Sequence, residues 1–65
     1  MANEPYWTTE LFTYDASNNL VRMGKHKKEN ASEFDPGWYI WTFAYDGSGN
    51  LTNKNGPTIG RWTEQ

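Results

Sequence analysis

The 65-residue chain has no cysteine, one histidine and only six Leu, Ile or Val side chains, and each shortage closes off a class of protein. Without cysteine there is no disulfide framework, no thiol nucleophile and no zinc site built on thiolates. His26 alone cannot make a multi-histidine metal site. No apolar run approaches the roughly 18 residues of a membrane span. The opening Met1-Ala2-Asn3-Glu4-Pro5 also lacks the basic and apolar regions of a secretory signal, so no membrane is expected as a partner. Basic charge is short as well. Six Lys and Arg against eight Asp and Glu leave a net charge of −2, which argues against nucleic acid as the main partner, because phosphate neutralisation needs a basic face.

What remains is a small, ring-rich chain. Leu, Ile, Val and Phe together make 9 of 65 residues, below the roughly one in five expected of a folded domain. Four Trp and four Tyr supply the missing apolar area, and the low net charge keeps the chain out of the disordered regime. Residues 1–65 are therefore read as one domain, with aromatic side chains doing most of the packing.

The chain repeats itself. Residues 5–20 align with residues 36–51 at a constant offset, pairing Pro5 with Pro36, Trp7 with Trp38, Phe12 with Phe43, Tyr14 with Tyr45, Asp15 with Asp46, Ser17 with Ser48, Asn19 with Asn50 and Leu20 with Leu51. Further on, Met23-Gly24-Lys25-His26 stands opposite Ile59-Gly60-Arg61-Trp62. The units cover about 5–25 and 36–63, with a polar crossing loop over 24–36 that carries one weak helical pattern at Lys27 to Phe34. Two copies point to a pseudo-symmetric pair, since a solenoid needs three or more repeats to close its core.

Each unit reads as a β-hairpin, an aromatic and Thr-rich run followed by a dense turn signal and a shorter apolar return. The strands expected are Trp7 to Tyr14, Leu20 to about Lys25, Trp38 to Tyr45, a return from Leu51, and a short final strand at Thr58 to Thr63 after the Asn55-Gly56-Pro57 breaker. The fold class that follows is all-β, a small antiparallel sheet or open barrel of about five strands built from two related hairpins. Within Trp38 to Tyr45, strict alternation places Trp38, Ile40, Thr42 and Ala44 on one face and Tyr39, Trp41, Phe43 and Tyr45 on the other, so both faces are apolar. Either a partner covers the second face, or a bulge near Trp41-Thr42 shifts the register. The repeat favours the bulge, and because Glu10 occupies the position of Trp41 it also turns Trp41 outward.

Few side chains here can carry chemistry. Asp15, Ser17, Asn19 and Asp46, Ser48, Asn50 have the spacing that opens an EF-hand loop, but the sixth position is Leu20 or Leu51 in place of Gly and no Glu stands at the twelfth. A hydrogen-bonded hairpin turn explains the same residues, so neither a metal nor any other cofactor is expected. Lys25, His26, Lys27 and Lys28 form a basic cluster that reads as a solvated loop, with docking onto an acidic partner surface as the other reading. A nucleophile–base pair would have to be built on His26 alone, and paired carboxylates would need a deep cleft, so no enzyme is expected.

The rings remain. Trp7, Trp38, Phe12, Phe43, Tyr14 and Tyr45 match across the repeat and are assigned to the core. Tyr39, Trp41 and Trp62 have no apolar match, facing Thr8, Glu10 and His26 across the repeat, and are the candidate partner-binding residues, because aromatic anchors dominate interfaces.

The order Tyr14-Asp15-x-x-x-Asn19-Leu20, Met23-Gly24-Lys25 and Asp35-Pro36-x-Trp38-x-Ile40-x-x-Phe43-x-Tyr45-Asp46-x-x-Gly49-Asn50-Leu51 resembles small proteins encoded among the structural genes of tailed bacteriophages. In those proteins a Tyr-x-Gly-Lys segment precedes a Trp-x-Ile-x-x-Ile-x-Tyr-Asp strand and a Gly-Asn turn. This chain departs at Trp41, where those proteins carry a basic residue, and at Gly60-Arg61-Trp62, which echoes their terminal Trp-Asp-x-Arg segment loosely. The stretch Tyr45 to Leu51 is also similar to the tyrosine–aspartate repeats of large secreted shell-forming toxins. The phage resemblance implies a non-enzymatic structural or accessory protein of the particle (head decoration, neck or tail), located in a virion assembled in the host cytoplasm. Its partners would be a larger virion protein and itself, as a homo-oligomer. The other readings are a β module binding glycan or peptide on an aromatic platform, and a phage-encoded inhibitor of a host protein.

Overall fold

The computed structural model of the chain describes residues 7–64. The Pro5 and Tyr6 end of the first repeat lies outside these residues. Four strands follow in order, β1 (Thr9–Tyr14), β2 (Leu20–His26), β3 (Trp38–Tyr45) and β4 (Leu51–Gly60), and a short 3-10 turn closes the chain at Trp62–Glu64. They form one antiparallel sheet in the order β1-β2-β3-β4, open at both edges. The chain is all-β and built from two hairpins, as its two strand-turn-strand units require. No helix among the described residues is long and apolar enough to cross a membrane.

The duplication is visible atom by atom at the turns. In the first, the Ser17 and Asn19 backbone N–H groups both donate to Asp15 Oδ1 at 2.9 Å, and the Asn18 N–H donates to the Asp15 carbonyl at 2.9 Å. In the second, the Ser48 and Asn50 N–H groups donate to Asp46 Oδ1 at 2.9 Å, and the Gly49 N–H donates to the Asp46 carbonyl at 3.0 Å. Asn18 and Gly49 take the positive φ that the reversal demands, 72° and 88°, and Asn and Gly are the residues that tolerate it.

The segments expected as separate strands on either side of Asn55-Gly56-Pro57 are one strand. The breaker is absorbed by a bulge: Ile40 pairs with Thr58 and Thr42 with Asn55, so β4 carries one residue more than β3 opposite Trp41. The described residues therefore hold four strands, with Trp62 and Thr63 in the 3-10 turn that follows Arg61. The register irregularity foreseen near Trp41 thus sits on β4, and β3 keeps strict alternation. Gly56 makes the close approach possible. Its φ is +124°, and a Cβ there would stand 2.6 Å from the Ile40 carbonyl oxygen and 3.1 Å from Trp41 Cδ1.

Among the described residues, the crossing segment and the terminal turn cover one face of the sheet and leave the other open. On the covered face, Trp38 and Ile40 are buried together with Trp62, with Leu11 and Ala31 packed around them. The cover comes from the crossing connection and the terminal turn. The Trp38 Nε1–H donates to the Ser32 carbonyl at 2.9 Å, and the Arg61 Nε–H donates to the Phe34 carbonyl at 3.0 Å. The crossing segment between β2 and β3 forms turns, without the weakly patterned helix at Lys27 to Phe34. The molecule measures 41 × 29 × 17 Å, too thin for a second full layer, since packed sheets stand about 10 Å apart before outer side chains are added.

Core membership differs from the expectation drawn from the repeat. Of the six matched rings only Trp38 is fully buried, at 0% exposure, whereas Phe12 and Tyr14 are 45% and 55% exposed. Trp7, Phe43 and Tyr45 are half-buried. The repeat matches strand geometry in both units, but the register sets Phe12 and Phe43 on the face opposite Trp38, away from the crossing segment and the terminal turn.

Candidate interaction surface

Register and pleat place Tyr39 and Trp41 on the uncovered face. Residues directly opposite one another share a face, so the row Phe12–Met23–Trp41 runs across three strands, and the row Glu10–Lys25–Tyr39–Ile59 runs beside it across all four. Tyr39 and Trp41 are both half-buried, flanked by their cross-strand neighbours. Ile59 is 60% exposed, and the contacts that tie the crossing segment and the terminal turn to Trp38 lie on the opposite face.

Trp7 closes one end of the face. It meets the Tyr39 ring at a centroid distance of 5.1 Å with the planes tilted by 57°, and Lys27 Nζ stands 5.4 Å and 5.9 Å from the two rings. A bend at Thr8 takes Trp7 out of the β1 alternation, so Trp7 and its repeat counterpart Trp38 lie on opposite faces. The face is lysine-bearing as well as apolar. Lys25 and Lys54 project from β2 and β4, and Lys25 Nζ faces Glu10 at 4.0 Å.

Trp62 belongs to neither row. It is 8% exposed and packed in the core, tilted against Trp38 at 6.0 Å between centroids. The expectation that Trp62 lies outside is therefore overturned, and the reason is Arg22. The Arg22 guanidinium carbon stands 3.8 Å over the indole ring, and its Nη2 donates to the Trp62 carbonyl, so the terminal turn is drawn onto the covered face. Desolvation there lowers the Arg22 pKa from its ordinary value. Along the sequence Arg22 is only one of the six Lys and Arg. Its alternation with Gly24, on the face shared with Trp38 and Ile40, is the signal that could have found it.

His26 is a structural residue. Its Nε2–H donates to the Pro36 carbonyl at 2.8 Å, and Nδ1 accepts the Lys28 N–H at 3.0 Å, which assigns the tautomer and engages both ring nitrogens. Lys25 and His26 lie within β2, so of the basic cluster only Lys27 and Lys28 stand in the exposed loop. Lys28 Nζ pairs with Asp35 at 3.2 Å. The Ser32 backbone N–H first, and Lys28 second, lower the Asp35 pKa below the ordinary carboxylate value.

At the opposite end of the sheet the two turns flank an open cleft of about 480 Å3 lined by Asp15, Asn19, Val21, Tyr45, Asp46 and Ser48, among others. The Tyr45 hydroxyl ties the hairpins together there by donating to the Leu20 carbonyl at 2.7 Å. Both carboxylates are held below their ordinary pKa, Asp15 chiefly by the Asn19 backbone N–H and Asp46 chiefly by that of Asn50. Their hydrogen bonds go to their own turns. Among the described residues no three His, Cys, Asp or Glu side chains gather in a way that could hold a metal ion.

Comparison of the chain with protein-family models, with curated proteins and with solved structures gives no match.

Proposed function

We propose that this chain is a non-enzymatic structural or accessory module that acts by protein–protein contact through the uncovered face of its sheet, with Tyr39 and Trp41 as anchors. One observation carries the reading. The apolar row Phe12–Met23–Trp41 lies on the face that nothing in the described chain covers, while the core on the other face has only three buried hydrophobic residues. A sheet with so small a core gains from a partner, because burying a few hundred Å2 at about 25 cal/mol per Å2 rivals the net stability of a small domain. The partner's surface is apolar with acidic groups, complementary to Lys25, Lys27 and Lys54.

The setting we propose, a tailed-phage particle assembled in the host cytoplasm, rests on the resemblance of Tyr14 to Leu51 to structural proteins of such phages. A larger virion protein is then the partner. A glycan platform is a weaker reading, because Trp7 and Tyr39 are tilted by 57° and do not form the flat surface that sugar rings stack on.

Cross-linking mass spectrometry on particles carrying the chain tests the reading. Cross-links from Lys25, Lys27 or Lys54 to a virion protein, lost in Tyr39→Ala/Trp41→Ala, are expected. Absence of the chain from particles, or contacts confined to Lys28 in the crossing loop, would overturn it.

A further inference from the structure

We propose that β1 is an open edge at which two copies of this chain pair antiparallel about a twofold axis, joining two four-stranded sheets into one of eight. The strand order leaves β1 and β4 at the edges, each with one side of its backbone unpaired within the described sheet. Unpaired edges template strand addition unless they are guarded by proline, lysine, bulges or twist.

The two edges differ in their guards. β4 carries Lys54, Gly56 and Pro57, with its bulge opposite Trp41. β1, Thr-Glu-Leu-Phe-Thr-Tyr, has no Pro, Gly or Lys, and its one charge, Glu10, already faces Lys25 at 4.0 Å. The crossing segment's hydrogen bonds lie at the start of this edge, where Thr8 Oγ1 and Thr9 Oγ1 donate to the Lys27 and Lys28 carbonyls and Thr9 Oγ1 accepts the Ala31 N–H, and they leave Phe12 to Tyr14 clear.

The apolar row also runs out at this edge. From Trp41 it crosses Met23 and ends on Phe12, which is 45% exposed, whereas on the other side of Trp41 the Gly56-Pro57 bulge interrupts it. A second copy is the occupant that fits. Opposed residues in an antiparallel pair share a face, so a twofold axis must lie midway between the two copies of one residue. An axis between the two copies of Phe12 sets their rings opposite each other and makes one continuous row of six residues from Trp41 to Trp41. The same register puts Glu10 opposite Tyr14 of the second copy and keeps the two Glu10 carboxylates apart.

Six residues per strand bury less than the roughly 1,200–2,000 Å2 of stable interfaces, so the dimer is reversible, with a dissociation constant on the order of 10 µM to 1 mM. This goes beyond the proposed contact with a virion protein. Its failure would leave that reading standing, because the face does not depend on the edge.

Sedimentation equilibrium across that range tests it with three chains, the native one, Phe12→Lys and Ile59→Lys. The native chain and Ile59→Lys, altered on the opposite edge, should share one monomer–dimer constant, and Phe12→Lys should weaken it at least about tenfold. A single 7.6 kDa species throughout for the native chain overturns the proposal, as does association that Ile59→Lys abolishes and Phe12→Lys spares. Should Phe12→Lys fail to fold by circular dichroism, hydrogen exchange on the native chain decides. Amides of Thr9–Tyr14 should slow as concentration rises while those of Leu51–Gly60 do not, and the reverse pattern sinks the idea.

Discussion

Gly24 and Trp62 are in contact with no space between them: a Cβ at position 24 would stand 2.6 Å from both Cε3 and Cζ3 of the indole. The terminal turn can lie on the sheet only because β2 has no side chain there. Gly24→Ala must push the ring away from Trp38, and an overpacked core loses about 1–3 kcal/mol. Trp62→Ala removes one of the three buried hydrophobic residues at about 3–5 kcal/mol, against a total of roughly 5–15 kcal/mol for folded domains generally. Thermal melts should rank Trp62→Ala below Gly24→Ala and both below the native chain. A Trp62→Ala melt equal to native would remove this ring from the core.

Arg22 is expected to resist conservative replacement. Its planar guanidinium stacks on Trp62 while donating to the Trp62 carbonyl, and a lysine cannot do both. Arg22→Lys should lose about 1–2 kcal/mol and Arg22→Ala somewhat more, with indole fluorescence shifting red as the terminal turn loosens. Arg22→Lys with native stability would show that the stacking contributes little.

The turn carboxylates predict the acid limb of stability. Asp15 and Asp46 are held below their ordinary pKa of 3.8 by backbone N–H donors in the folded state. A carboxylate whose folded pKa is depressed stabilises the fold above the unfolded value and loses that contribution as pH falls through the folded one. Melting temperature should therefore hold steady from neutral pH down to about 5 and fall below about 4. Asp15→Asn/Asp46→Asn keeps an acceptor oxygen but removes the titration, so its profile should be flatter. An unchanged acid limb in the double variant would assign the effect to other groups.

Tyr39 and Trp41 should separate contact from folding. Both lie on the uncovered face, so Tyr39→Ala/Trp41→Ala should reduce partner capture at least about tenfold. Its melt should stay above that of Trp62→Ala. A variant that unfolds as readily as Trp62→Ala would mean that Trp41 supports the sheet itself.

Gly56→Ala tests the bulge. A methyl group there meets the Ile40 carbonyl at 2.6 Å in a backbone held at φ +124°, so a loss of at least about 1 kcal/mol is expected, with Trp41 fluorescence changing alongside it. Native stability in this variant would show that β4 accommodates the change by shifting its register.

The hairpins were legible because their determinants are local. An Asp whose carboxylate reaches N–H groups two and four residues on, followed by a residue that tolerates positive φ, is written in five consecutive positions, twice. The outward placement of Trp41 was legible too, since it shares the uncovered face with its repeat counterpart Glu10. The break at Asn55-Gly56-Pro57 misled, because a turn signal within one strand and a turn between two strands use the same residues. The six matched rings misled for another reason: matching across a repeat reports strand geometry, and burial depends on what lies above the strand.

By itself, then, the sequence determined the two Asp-started turns, the strands beside them and the alternation that divides β3 into two apolar faces, all set by bonds within a few residues. Only the tertiary structure decided which face is closed. Trp62 comes to lie on the covered face through Arg22, 40 positions away in the chain, and through the absent side chain of Gly24. No spacing along the chain records a contact of that range, and with one terminal turn to cover two related hairpins, Trp38 was sealed while Trp7 was left at the margin of the open face.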